Sequence, residues 1–223
     1  MRPFTVRRGL CATLRRDDVD TDQIIPKQFL KRTDKDSYGE ACFFDWRYAS
    51  TGASNPDFEL NQARFMGASI LITGQNFGCG SSREHAAWAL LGYGFLAVIA
   101  PSFGDIFKTN ALQNGLLPVS LAAAEVDKLM RRAESADGLE LSIDLERQAI
   151  SDARGDVATF EIETFWRQCL LEGLDPISMA ETKDVLVTAY EQKRSKLLPN
   201  TACLQVAGGP PVAPQGVWPE DGH

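Results

Sequence analysis

Asn76-Phe77-Gly78-Cys79-Gly80-Ser81-Ser82-Arg83-Glu84-His85 stands between an apolar, β-branched run, Ala68-Ser69-Ile70-Leu71-Ile72-Thr73, and a helix-forming run, Ala86-Ala87-Trp88-Ala89-Leu90-Leu91. A strand, a glycine-rich turn and a helix start thus follow one another directly, the grammar of an α/β unit. Unpaired N–H groups at a helix start favour an anion, and the macrodipole adds to that preference. Gly74, Gly78 and Gly80 permit close backbone approach. Arg83 opposes the dipole at a helix start, an unfavourable placement unless it meets an anion, and its planar fork matches a carboxylate. The turn therefore reads as a site.

Outward from this turn the pattern alternates. Val6–Leu14 is strand-like, and an acidic run follows, Asp17-Asp18-Val19-Asp20-Thr21-Asp22. A short helix is expected from Pro26. Residues 33–62 read as irregular, with an aromatic knot at Phe43-Phe44-Asp45-Trp46-Arg47-Tyr48, and so long a connection is usually functional or partner-bound. Strands are expected at 68–73, 95–99 and 116–121, with helices at 82–91, 102–113 and 125–135. Residues 139–150 and 157–162 alternate like an antiparallel pair, and helices at Thr164–Glu172 and 178–196 close the domain. Beyond residue 198 proline and glycine concentrate without apolar period. The expectation is one domain over 1–198 and a flexible tail over 199–223.

Composition excludes several classes. A net charge of −7 argues against sequence-independent nucleic-acid binding. No apolar run approaches the roughly 18–20 residues of a membrane span, and the N-terminus lacks an apolar signal region, so a cytoplasmic protein is expected. The five cysteines include no CxxC pair and do not read as a zinc or iron–sulfur framework. Of the two histidines one is the C-terminal His223, and the other, His85, lies four residues from Ser81 on the same helix. A Ser-His-Asp triad needs its base on a separate element, so acid–base chemistry is expected without histidine.

Each feature also has a structural reading. Ser81-Ser82-Arg83-Glu84 fits the S-x-x-E capping box. Cys79 is a small turn residue unless the helix start and Arg83 lower its pKa. The alternating carboxylates of 17–22 could bind Mg²⁺ or Ca²⁺, but the EF-hand pattern fails for want of its glycine and closing glutamate, so no metal is expected. Asp22, directly before Ile24-Ile25-Pro26, is better placed to face a pocket or orient backbone. A phosphate- or nucleotide-binding module lacks its Walker lysine and any ordered G-x-G-x-x-G with a distal acid. A regulatory scaffold without chemistry is the remaining alternative.

Taken together, residues 19–31, the Phe44–Tyr48 knot, the 76–85 turn, Ala100-Pro101-Ser102-Phe103, Ile106-Phe107 and residues 110–118 resemble the small-subunit family of 3-isopropylmalate dehydratase. That family is similar to the mobile fourth domain of aconitase, and the resemblance runs from about Leu10 to Glu191. It implies an α/β, three-layer β/β/α swivelling domain with a mixed sheet and packed helices. Ser81 matches the catalytic base, Ser82 and Arg83 match residues that hold a substrate carboxylate, and Asp22 matches an active-site aspartate. Arg32 falls in the loop that reads the substrate side group. The resemblance further implies a small hydroxy-dicarboxylate substrate and no cofactor on this chain. A [4Fe–4S] cluster is expected on an iron–sulfur large-subunit partner, and the pathway implied is leucine biosynthesis. A related hydro-lyase, of citraconate or homoaconitate type, is the alternative within the class.

Overall fold

The computed structural model describes residues 1–31, 38–182 and 184–193. Its strands are β1 (Val6–Leu14), β2 (Ile70–Thr73), β3 (Ala97–Ala100), β4 (Leu117–Ser120), β5 (Glu140–Asp144), β6 (Ala149–Asp152) and β7 (Gly155–Thr159). They form a mixed seven-stranded sheet in the order β4-β3-β2-β1-β5-β6-β7. The first four are parallel, and β5, β6 and β7 continue antiparallel from the other side of β1. The helices are α1 (Thr21–Ile24), α2 (Tyr38–Ala41), α3 (Phe44–Arg47), α4 (Glu84–Tyr93), α5 (Asp105–Asn114), α6 (Ala123–Ala133), α7 (Thr164–Glu172), α8 (Pro176–Glu181) and α9 (Asp184–Lys193).

The parallel strands are buried on both faces, which is why β2 and β3 read as unbroken apolar runs rather than alternating ones. Period-2 geometry then divides their side chains between two cores. Ala12, Leu14, Leu71 and Val98 face Ala86, Ala89 and Leu90 of α4 and Phe107 and Ala111 of α5. Cys11, Ile70, Ile72 and Ile99 face Leu129 and Met130 of α6, and the same cluster takes in Leu141 and Ile143 of β5 and Ile150 of β6. The expected mixed sheet with packed helices is the observed one.

The long irregular connection is a wall of the first core. Its buried Tyr38, Phe43 and Phe58 pack there, Phe43 stacks on Trp46 at 5.8 Å, and Arg16 lies 4.2 Å over the Trp46 ring. Residues 1–181 make one compact unit, and a second begins at Thr182 and contains α9. The expected 199–223 tail lies outside the described residues.

Several boundaries differ from expectation. The 139–150 run is broken because Asp144 accepts the Arg147 N–H at 2.9 Å and Gln148 is left-handed, so two antiparallel strands become three. In place of the single helix expected over 178–196 there are two, α8 and α9, and α8 starts earlier, since Asp175 accepts the Ser178 N–H at 2.8 Å and Pro176 suits a first helical position. The short helix expected from Pro26 is a single 3-10 turn, Lys27–Phe29, with Pro26 as its N-cap, and a further helix, α1, precedes the proline. Asp20 accepts the Gln23 N–H at 2.8 Å while the Gln23 side chain accepts the Asp20 N–H at 2.9 Å, a complete capping box on α1.

Candidate active site

The carboxyl ends of β1, β2 and β3 deliver three connections to one place, as ligand sites in open α/β sheets do. The connection after β2 is the glycine turn, and its neighbours hold it on both sides. Towards β3, the Phe77 N–H donates to the Ser102 carbonyl at 3.1 Å and the Gly104 N–H to the Phe77 carbonyl at 2.9 Å. Towards β1, the Gly78 N–H donates to the Val19 carbonyl at 2.7 Å and the Thr21 N–H to the Cys79 carbonyl at 3.0 Å. The buried Thr21 Oγ1 donates to the Ser81 carbonyl at 2.7 Å. Gly78 has φ +74°, and a Cβ there would strike the Phe107 ring, so both backbone and space require glycine.

One rung further on, both Arg83 terminal nitrogens donate to the two Asp22 oxygens, Nη2 to Oδ2 at 2.9 Å. Asp20, Thr21 and Asp22 thus grip Cys79, Ser81 and Arg83 in order. The Arg83 side chain is 10% exposed, whereas Asp22 is 38% exposed. The Arg83 hydrogen bonds, with smaller help from Lys27, hold the Asp22 carboxyl below the usual carboxylate range. Two of five guanidinium N–H groups are engaged there, which leaves donors for a second carboxylate.

Helix α4 begins at Glu84 with Arg83 as N-cap, and no side chain caps it. The expected Ser81–Glu84 capping box is therefore not formed. The Ser81 carbonyl is committed to Thr21, and the Glu84 carboxylate instead accepts from Asn114 Nδ2 at 2.9 Å. Ser81 and Ser82 are both exposed beside the uncapped first turn. His85 packs against the rings of Tyr38 and Trp88, with centroids 5.4 and 4.7 Å away, a structural placement. The Cys79 thiol is pushed up by burial and by Asp20 and Asp18, so it is not an activated nucleophile. Arg32 lies outside the described residues. The structure thus brings together Ser81, Ser82, Arg83 and Asp22. It adds Thr21 and Lys27, whose roles depend on contacts some sixty residues distant along the chain or on a charge at the rim.

Residues 1–124, which hold all four parallel strands and the glycine turn, match the family model described as the aconitase C-terminal domain, and residues 127–164 match the LeuD_N model. The 3-isopropylmalate dehydratase small subunit of Bacillus pumilus is 51% identical over 198 residues, covering 89% of this chain and 99% of that protein. The chain belongs to the 3-isopropylmalate dehydratase small-subunit family. A second relative in the family, from Rhodopirellula baltica, is 52% identical over 195 residues, covering 87% of this chain and all of that protein. The solved 3-isopropylmalate dehydratase (leuD) of Methanocaldococcus jannaschii aligns with a TM-score of 0.58 at 27% identity, covering 82% of this chain and 98% of that one. The expected small-subunit family and its mixed-sheet architecture are therefore the observed ones.

Proposed function

We propose that this chain supplies half of the active site that isomerises 2-isopropylmalate to 3-isopropylmalate in leucine biosynthesis, in the cytoplasm. The observation that carries this reading is the Asp22–Arg83 fork set beside exposed Ser81 and Ser82 at the uncapped start of α4. Arg83 and Ser82 hold a substrate carboxylate through donors that Asp22 leaves available. Ser81 Oγ, as an alkoxide, takes a proton from the carbon α to that carboxylate. The C–H electron pair becomes the C=C bond of isopropylmaleate as the hydroxyl leaves the adjacent carbon. Rehydration reverses the sequence with the two carbons exchanged. A serine is a poor base unless its oxyanion is stabilised, and the α4 dipole together with Arg83 offers that stabilisation.

The described cysteines do not suit a [4Fe–4S] cluster. Cys11, Cys42 and Cys169 are buried, with Cys11 and Cys42 in different cores, and burial raises all three thiols. Among the described residues no three His, Cys, Asp or Glu side chains converge as a metal site. We assign the cluster, and with it electrophilic assistance to hydroxyl departure, to an iron–sulfur large subunit. Among the described residues no helix is long and apolar enough to cross a membrane. The test is to mix the purified chain with a reconstituted iron–sulfur large subunit and follow alkyl-maleate absorbance from 2-isopropylmalate. Turnover is expected only in the mixture, and activity of the chain alone would overturn the two-subunit reading.

A further inference from the structure

Lys27 follows Pro26 and opens a single 3-10 turn, Lys27–Phe29, at the rim of the site. The turn is anchored from behind, since the Phe29 ring lies 4.8 Å from that of Phe44, so the Lys27 backbone is held while its side chain is 75% exposed. Its Nζ lies 3.8 Å from Asp22 Oδ2, outside hydrogen-bonding distance. Asp22 is already engaged through both oxygens by Arg83, and Lys27 contributes less than Arg83 to holding its pKa down. One carboxylate therefore serves two cations. The guanidinium and the ammonium share Asp22 Oδ2 at 2.9 and 3.8 Å. They accordingly stand close together with a residual positive charge between them.

We propose that Lys27 is a substrate-binding residue, a second cationic arm that takes a carboxylate oxygen of the dianionic substrate while Arg83 holds the site's inner edge. The inference rests on the isopropylmalate reading above. Its physical basis is charge balance. A dianion approaching a chain of net charge −7 meets Asp17, Asp18 and Asp20 on the segment that carries Asp22. Arg83 alone, already paired, leaves that approach uncompensated. Lys27 supplies the missing charge on a flexible stem that can follow the ligand, at the cost of ordering a long side chain. Its compact ammonium needs no fixed fork, so arginine should substitute for it in this role.

The experiment uses the assembled enzyme at saturating large subunit. The wild-type chain, Lys27→Gln and Lys27→Arg are assayed in parallel with 2-isopropylmalate, and large-subunit affinity is titrated for each. Turnover by the wild-type mixture tests the underlying reading by itself. Given that turnover, Lys27→Gln is expected to raise KM about tenfold with kcat within about twofold, the loss of one charged contact. Lys27→Arg is expected to keep KM near the wild-type value. An unchanged KM in Lys27→Gln overturns the proposal. So does a KM effect that vanishes once large subunit is saturating, because Lys27 then serves assembly. Equal damage from both variants overturns it as well.

Discussion

Ser81 and Asp22 are the residues on which the proposed chemistry turns, and they fail differently when changed. Ser81→Ala removes the hydroxyl but leaves the carbonyl that Thr21 holds, so fold and assembly persist. The expected loss in kcat is about 10²–10⁴-fold, the range of a general base, read by steady-state assay of the mixed subunits. Retention of most of the rate would return Ser81 to a purely structural role. Asp22→Asn keeps shape but removes the charge that orients Arg83, and the expected result is a higher KM from a disordered fork. The pH dependence follows from the same pair. Because the folded Asp22 pKa is depressed, its stabilising contribution is complete above the unfolded value of about 3.9 and is lost as pH falls through the lower folded value. Acid titration by NMR should place the Asp22 midpoint below that of an unpaired aspartate, and Arg83→Gln should restore it. Ser81 was legible as a nucleophilic group, and Asp22 and Arg83 as charged ones. The pairing of Asp22 with Arg83 was not, because nothing local connects positions 22 and 83.

At the scale of elements, legibility depended on whether local forces decided the outcome. The limits of β1 and α7 coincide with their apolar patterns, since burial on a sheet and a helix ended by left-handed Gly173 are local signals. The start of α4 failed because tertiary contacts overrode a good capping signature. The Thr21 hydroxyl takes the Ser81 carbonyl, and Asn114 takes the Glu84 carboxylate. The true box, Asp20 with Gln23, was equally visible as D-x-x-Q but sat in a run dominated by charge. Thr21→Val should therefore destabilise the chain by about 0.5–1.5 kcal/mol, the loss of one part-buried hydrogen bond, with Thr21→Ser recovering most of it in urea denaturation. Gly78→Ala combines a positive φ with overpacking against Phe107 and is expected to cost about 2–4 kcal/mol.

For the whole molecule, the sheet order explains why one chain carries a site at one end and unreactive thiols elsewhere. Cys11 on β1 lies in one core, where burial pushes its thiol up to about 12, and Cys42, between α2 and α3, lies in the other, its thiol raised by burial as well. Peptide mapping after iodoacetamide at pH 8 should find both unmodified in the folded chain and both modified in urea. Global architecture was readable to the level of a mixed sheet with helices on it. The extra antiparallel strand was not, because its break depends on one Asx turn and one left-handed residue.

The grip of Asp20, Thr21 and Asp22 on Cys79, Ser81 and Arg83 joins the ends of two central parallel strands. The segment after β1 and the turn after β2 therefore hold one another, and the proposed base and clamp share one anchorage. Loosening of either segment frees the other. Hydrogen exchange on the small subunit should show the Thr21 and Gly78 amides, which cross between the two segments, opening together.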